Sequence, residues 1–94
     1  MRIRYHIDLE TGLPHIYSHD VSEADVEEAL RRAGEDRPGR EGSRVAIGRT
    51  SGGRYVRVIY VPDPEPDSLF VITAYELRGQ PLTAYRRRHR RKGK

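Results

Sequence analysis

Ninety-four residues, 35% hydrophobic and 34% charged, suffice for one domain with a small core. The absence of cysteine excludes disulfides, thiolate catalysis and cysteine-based zinc sites, and no apolar run approaches the ~20 residues of a membrane span. Charge is unevenly placed: residues 1–85 hold all 14 acids but 11 of the 18 Lys and Arg, net −3, and the last nine residues add +7 to reach +4.

The opening residues 2–8 alternate, with Ile3, Tyr5 and Ile7 on one face and Arg2, Arg4 and His6 on the other, which predicts a half-buried strand. This is not the apolar core of a signal peptide, so a cytoplasmic location is expected. Thr11-Gly12-Leu13-Pro14 breaks the strand, and Pro14 is suited to open a short helical turn over His15–His19.

A helix is predicted over 22–33. Ser22 is a natural N-cap, Asp25 completes a variant capping box, and Val21 and Val26 fit a hydrophobic staple. Acids crowd the first turns, Arg31 and Arg32 the last, and Gly34 is placed to terminate the helix. Val26, Ala29, Leu30 and Ala33 form the apolar stripe.

Residues 34–43 read as a polar loop. Three strands follow, at 44–50, 54–61 and 69–76, joined first by the turn Ser51-Gly52-Gly53 and then by the proline-rich 62–67. In the second strand Val56, Val58 and Tyr60 form the more apolar face, expected to meet the helices, while Tyr55, Arg57 and Ile59 form the other. In the third, strict alternation puts Tyr75 with Leu69, Val71 and Thr73. Pro81 opens a final helix that runs into the basic residues. The whole predicts an α+β fold: strand, helix, three-stranded antiparallel meander, helix. Residues 1–85 are the domain, and 86–94 a basic tail, either the end of the last helix or disordered.

Three stretches carry a resemblance. Ser18-His19-Asp20-Val21-Ser22-Glu23-Ala24-Asp25-Val26 is similar to a His-Gly-Val-Ser/Thr-x-x-Glu-Val segment that opens a helix. Arg44 to Thr50, followed by Gly53 to Val58, is similar to an Arg-x-x-x-Gly hairpin. Val71-Ile72-Thr73-Ala74-Tyr75, then Tyr85-Arg86-Arg87, resembles an Ile-Ile-Ser-Ala-Arg strand with a basic final helix. In order and spacing they resemble the BrnT-type branch of the RelE/ParE superfamily, the toxins of type II toxin–antitoxin modules. Tyr75 stands where that branch usually has Arg, and Asp20 where it has Gly, and the Trp-Asp signature of its N-terminal section is missing. The resemblance implies a RelE-like fold, metal-independent cleavage of RNA, and a cognate antitoxin as partner.

RNA cleavage without a metal needs a base for the 2′-OH proton, an acid for the leaving oxygen and a cation for the developing phosphorane charge. The candidates are His19, Arg44, Arg57, Tyr75 and Arg78. Four have a structural alternative: His19 as a hydrogen-bonding loop residue, Arg44 as the ion-pair partner of Glu41 or Glu76, Arg57 as part of an ordinary solvated sheet face, and Tyr75 as a packing residue. The tail is suited to condense on a polyanion, with Arg86, Arg87, Arg88, Arg90, Arg91 and Lys92 against phosphates and Tyr55 stacking on bases. Its alternative is a solubilising terminus.

No cofactor or metal is expected. His15 and His19 are four apart but lack a third ligand in pattern, and Gly48-Arg49-Thr50-Ser51-Gly52-Gly53 is a turn, not a phosphate-binding loop. Expected partners are RNA and an antitoxin; homo- and hetero-oligomers both stay open. The readings left are a toxin-like endoribonuclease, a non-catalytic nucleic-acid-binding or regulatory module of the same fold, and an interaction protein that recruits another chain at a sheet edge.

Overall fold

The computed structural model describes residues 1–92. Its secondary structure follows the order β1 (Arg2–Tyr5), a 3-10 helix (His15–His19), α1 (Glu23–Arg31), β2 (Ala33–Pro38), a 3-10 turn (Arg40–Gly42), β3 (Arg44–Arg49), β4 (Tyr55–Pro62), β5 (Ser68–Glu76) and α2 (Gly79–Lys92). One mixed sheet, ordered β1-β5-β4-β3-β2, gives the α+β fold. The meander β2-β3-β4-β5 is antiparallel, and β1 joins β5 in parallel.

Helix α1 begins as its capping sequence requires. The Ser22 hydroxyl accepts from the Asp25 amide at 3.1 Å, and the Asp25 carboxylate accepts from the Ser22 amide at 3.0 Å. Its apolar stripe, Val26 and Ala29, is fully buried against Ala46, Val56, Val58, Tyr60, Leu69, Val71 and Ala74 of the sheet. A second, smaller core forms on the opposite sheet face, where Tyr85 and Leu82 of α2 cover Ile47, Tyr55 and Leu77. The two helices thus flank the sheet.

Four expectations change. The strand at 2–8 pairs with β5 only over Arg2–Tyr5, because the chain then turns back through an Ile7–Pro14 bridge. Residues 34–43 are mostly not loop: after α1 closes at Arg31, Ala33–Pro38 forms the edge strand β2 against β3. An edge strand with one margin in solvent has no need of apolar alternation, so backbone pairing decides its state. Helix α2 starts at Gly79, with Pro81 inside its first turn.

The fourth change lies in β5. Ile59 pairs with Thr73 and Tyr60 with Val71, so Ile72 is an extra residue, a bulge. Leu69, Val71 and Ala74 are therefore buried under α1, and Tyr75 crosses to the other face, opposite Arg57. The β3–β4 turn is as expected, with Gly53 at φ +87° and the Thr50 and Arg54 backbones bonded at 2.8 Å.

Candidate nucleic-acid interface

Helix α2 covers only one end of its sheet face. What remains open is a cleft of about 460 Å³ lined by Arg37 and Pro38 of β2, Val45 of β3, Arg57 and Ile59 of β4, and Tyr75 of β5. Arg57 and Tyr75 are cross-strand partners, with Arg57 Nη1 donating to the Tyr75 hydroxyl at 3.2 Å and the guanidinium carbon 5.8 Å from the ring centre. Arg57 Nε is buried and has no hydrogen-bond partner among the described residues. Leaving such a donor unpaired is costly, and the guanidinium itself borders the cleft, where it is suited to an anionic group.

His19 reaches this cluster from the side. Beyond Tyr5 the flank of β5 is taken by the His15–His19 helix, and the His19 ring lies 6.0 Å from that of Tyr75 at an interplanar angle of 64°. Behind it His15 stacks edge-on at 5.0 Å, and the Asp8 carboxylate accepts from His15 Nδ1 at 3.0 Å. His15 is thereby oriented by a carboxylate, an arrangement that residue spacing did not reveal because Asp8 lies across the Ile7–Pro14 turn. Among the described residues no group of three His, Cys, Asp or Glu side chains is placed to hold a metal ion.

Of the five catalytic candidates, His19, Arg57 and Tyr75 come together. Arg44 does not. It points to the α1 side of the sheet, where Nε donates to Asp36 Oδ1 at 3.0 Å and the Tyr60 hydroxyl donates to Asp36 Oδ2 at 2.6 Å. Arg78 is exposed and pairs with Glu76 at 3.2 Å. Burial alone would raise the Glu76 carboxyl, but hydrogen bonds from Arg78 and Arg54 outweigh it and hold it below its ordinary value. Arg54 was not anticipated. It links Glu76, Asp25 and the Asp20 carbonyl, fastening the start of α1 to the sheet.

The basic helix is divided between two jobs. The guanidiniums of Arg86 and Arg49 lie 5.4 and 5.9 Å from the centre of the half-buried Tyr55 ring, and Arg87 is exposed. Tyr55 therefore carries cations rather than presenting a bare face. Arg88 is committed elsewhere: Nη2 donates to Glu35 Oε1 at 3.0 Å, and His89 Nε2 lies 3.2 Å from the same carboxylate. The hydrogen bond from Arg88 holds the Glu35 carboxyl below its ordinary range, while burial raises the Tyr85 phenol. Glu35 thus ties α2 to β2, and so does Gly34, whose missing side chain makes room for the Tyr85 hydroxyl. Arg90, Arg91 and Lys92, also expected at the RNA surface, lie outside the residues whose side chains are described.

These observations define a small α+β domain with an open, cationic and aromatic sheet surface, and among the described residues no helix is long and apolar enough to cross a membrane. The chain belongs to the family described as Domain of unknown function (DUF4258), which matches residues 16–76. The matched span includes His19, Arg57 and Tyr75 and leaves out β1 and α2. No curated protein matches the chain, and no solved structure does.

Proposed function

We propose that this protein is a toxin-like, metal-independent endoribonuclease of the BrnT type within the RelE/ParE superfamily, acting on RNA in the cytoplasm under the control of an antitoxin. The observation that carries the reading is the convergence of His19, Tyr75 and Arg57 beside an open cleft. With a phosphodiester in that cleft, the His19 imidazole takes the 2′-OH proton as the 2′-oxygen attacks phosphorus. Arg57, which lines the cleft, binds the phosphorane oxygens through its guanidinium. Tyr75 accepts from Arg57, which leaves its own proton to give to the departing 5′-oxygen. The products are a 2′,3′-cyclic phosphate and a 5′-hydroxyl. Arg86 and Arg87, with Arg49 over Tyr55, supply sequence-independent attraction for the strand.

A second reading, a binding module without catalysis, is favoured by one observation. Arg44 and Arg78 are neutralised by Asp36 and Glu76, which leaves Arg57 as the sole candidate cation hydrogen-bonded within the cluster. Incubation of the full chain with total RNA in EDTA decides between them. Cleavage lost in His19→Ala and in Arg57→Ala, with both variants folded, supports the ribonuclease. Salt-sensitive binding with no cleavage leaves the module.

A further inference from the structure

On the α1 side of the sheet, a groove of about 380 Å³ runs between β1 and α1. It is lined by Met1, Ile3, Tyr5 and Leu30, together with the exposed carboxylates of Glu23 and Glu27; Arg31, one helical turn past Glu27, also borders it. Strand β1 is the outermost strand on this side of the sheet. Its Arg2 and His6 amides donate to the Asp67 and Val71 carbonyls of the β5 side at 2.7 and 2.9 Å. In a parallel ladder alternate residues turn toward the neighbour, so Ile3 and Tyr5 direct their N–H and C=O outward. The same two residues put their side chains into the groove, while Arg2 and Arg4 take the opposite face and meet Glu65 and Asp63.

The groove is also incomplete as a surface. The Tyr5 hydroxyl is buried beside it without a hydrogen-bond partner among the described residues. Burial, reinforced by Glu27 and Glu23, pushes that phenol far above its ordinary value, so the groove wall stays neutral beneath two carboxylates.

We propose that the edge of β1 and this groove receive, as a sixth strand, an extended segment of another protein whose groove-facing side chains, every second residue, combine aliphatic groups with Lys or Arg and are separated by small neutral residues. Main-chain bonds come from Ile3 and Tyr5, the aliphatic groups fill the space over Ile3, Tyr5 and Leu30, and the cations meet Glu23 and Glu27. A second copy of this chain fits worse. A two-fold pairing that keeps both grooves on one face would set Arg2 and Arg4 beside their own counterparts and bring no cation to Glu23 and Glu27. The groove is on the sheet face opposite the His19–Arg57–Tyr75 cleft, so this inference stands apart from the ribonuclease reading.

The test titrates the ¹⁵N-labelled full chain with an end-blocked Lys-Thr-Val-Thr-Lys-Thr peptide, whose Lys and Val side chains share one face, to roughly millimolar concentration. Amide shifts are expected at Ile3, Tyr5 and along Glu23–Arg31, and a Glu-Thr-Val-Thr-Glu-Thr peptide is expected to give none. The double variant Glu23→Lys/Glu27→Lys should weaken binding by about tenfold or more. Ile3→Pro, which removes one outward N–H but no bond to β5, should weaken it too; if that variant fails to fold, the charge reversal still decides. The inference is overturned by an absence of shifts, by equal binding of the acidic peptide, or by undiminished binding to the charge-reversed variant. Concentration-dependent shifts at Ile3 and Tyr5 without peptide would overturn it in favour of self-association.

Discussion

Gly48 of β3 lies directly against the backbone of Ala29 in α1: a Cβ placed on Gly48 would sit 2.0 Å from the Ala29 carbonyl oxygen. The neighbour is helix backbone rather than a side chain that could swing away. Gly48→Ala should therefore lift α1 from the sheet and cost about 3 kcal/mol or more in urea unfolding. Gly52→Ala is the control, since its nearest neighbour would be Thr50 Oγ1 at 3.8 Å, and it should stay within about 0.5 kcal/mol of wild type.

The capping box at Ser22 gives a smaller, local effect. Ser22→Ala leaves the Asp25 amide without its acceptor and should lower stability by about 1 kcal/mol, read as a shifted urea midpoint with an unchanged slope.

Glu35 makes the attachment of α2 pH-dependent. Its carboxyl is depressed, chiefly by the hydrogen bond from Arg88, so the stability it contributes is present above its ordinary value of 4.5 and is lost as pH falls through the lower folded-state value. With Arg88 38% exposed, the contribution is about 1 kcal/mol. Wild type should exceed Glu35→Gln in Tm at pH 7, and the gap should close below pH 4.5.

The basic residues of α2 should separate by assay. Arg86→Ala and Arg87→Ala should each reduce the salt dependence of RNA binding by about one phosphate contact and leave Tm unchanged. Arg88→Ala should lower Tm, because it uncouples α2 from Glu35. Equal loss of RNA affinity in all three, with no change in Tm, would contradict this division.

If His19 is the base, His19→Ala should slow cleavage about 100-fold or more, with RNA affinity retained. Tyr75→Phe keeps the ring against His19 and removes only the hydroxyl, so it should lower the cleavage rate without affecting Tm.

Local chemistry made much of this fold readable. The cap of α1, its buried Val26 and Ala29, the Gly53 turn and the alternation of β4 are all effects of neighbouring residues. What escaped depends on residues far apart in the chain. Ala33–Pro38 becomes a strand only because β3 offers a partner, and with it went Glu35, Asp36 and Arg37, which set the fates of Arg88 and Arg44 and one wall of the cleft. The site was half legible. His19, Arg57 and Tyr75 were named for their chemistry, but Arg57 and Tyr75 meet only through the cross-strand register of β4 and β5.

That register turns on parity. Because Ile72 is supernumerary, every residue after it in β5 has the opposite inside–outside sense from the one that counting by twos assigns. Deleting Ile72 would therefore remove the bulge and leave plain alternation, with Val71 and Ala74 still inward and Tyr75 still opposite Arg57. The bulge thus gives β5 one residue to spare: a single missing codon there would straighten the strand and leave the cluster in place.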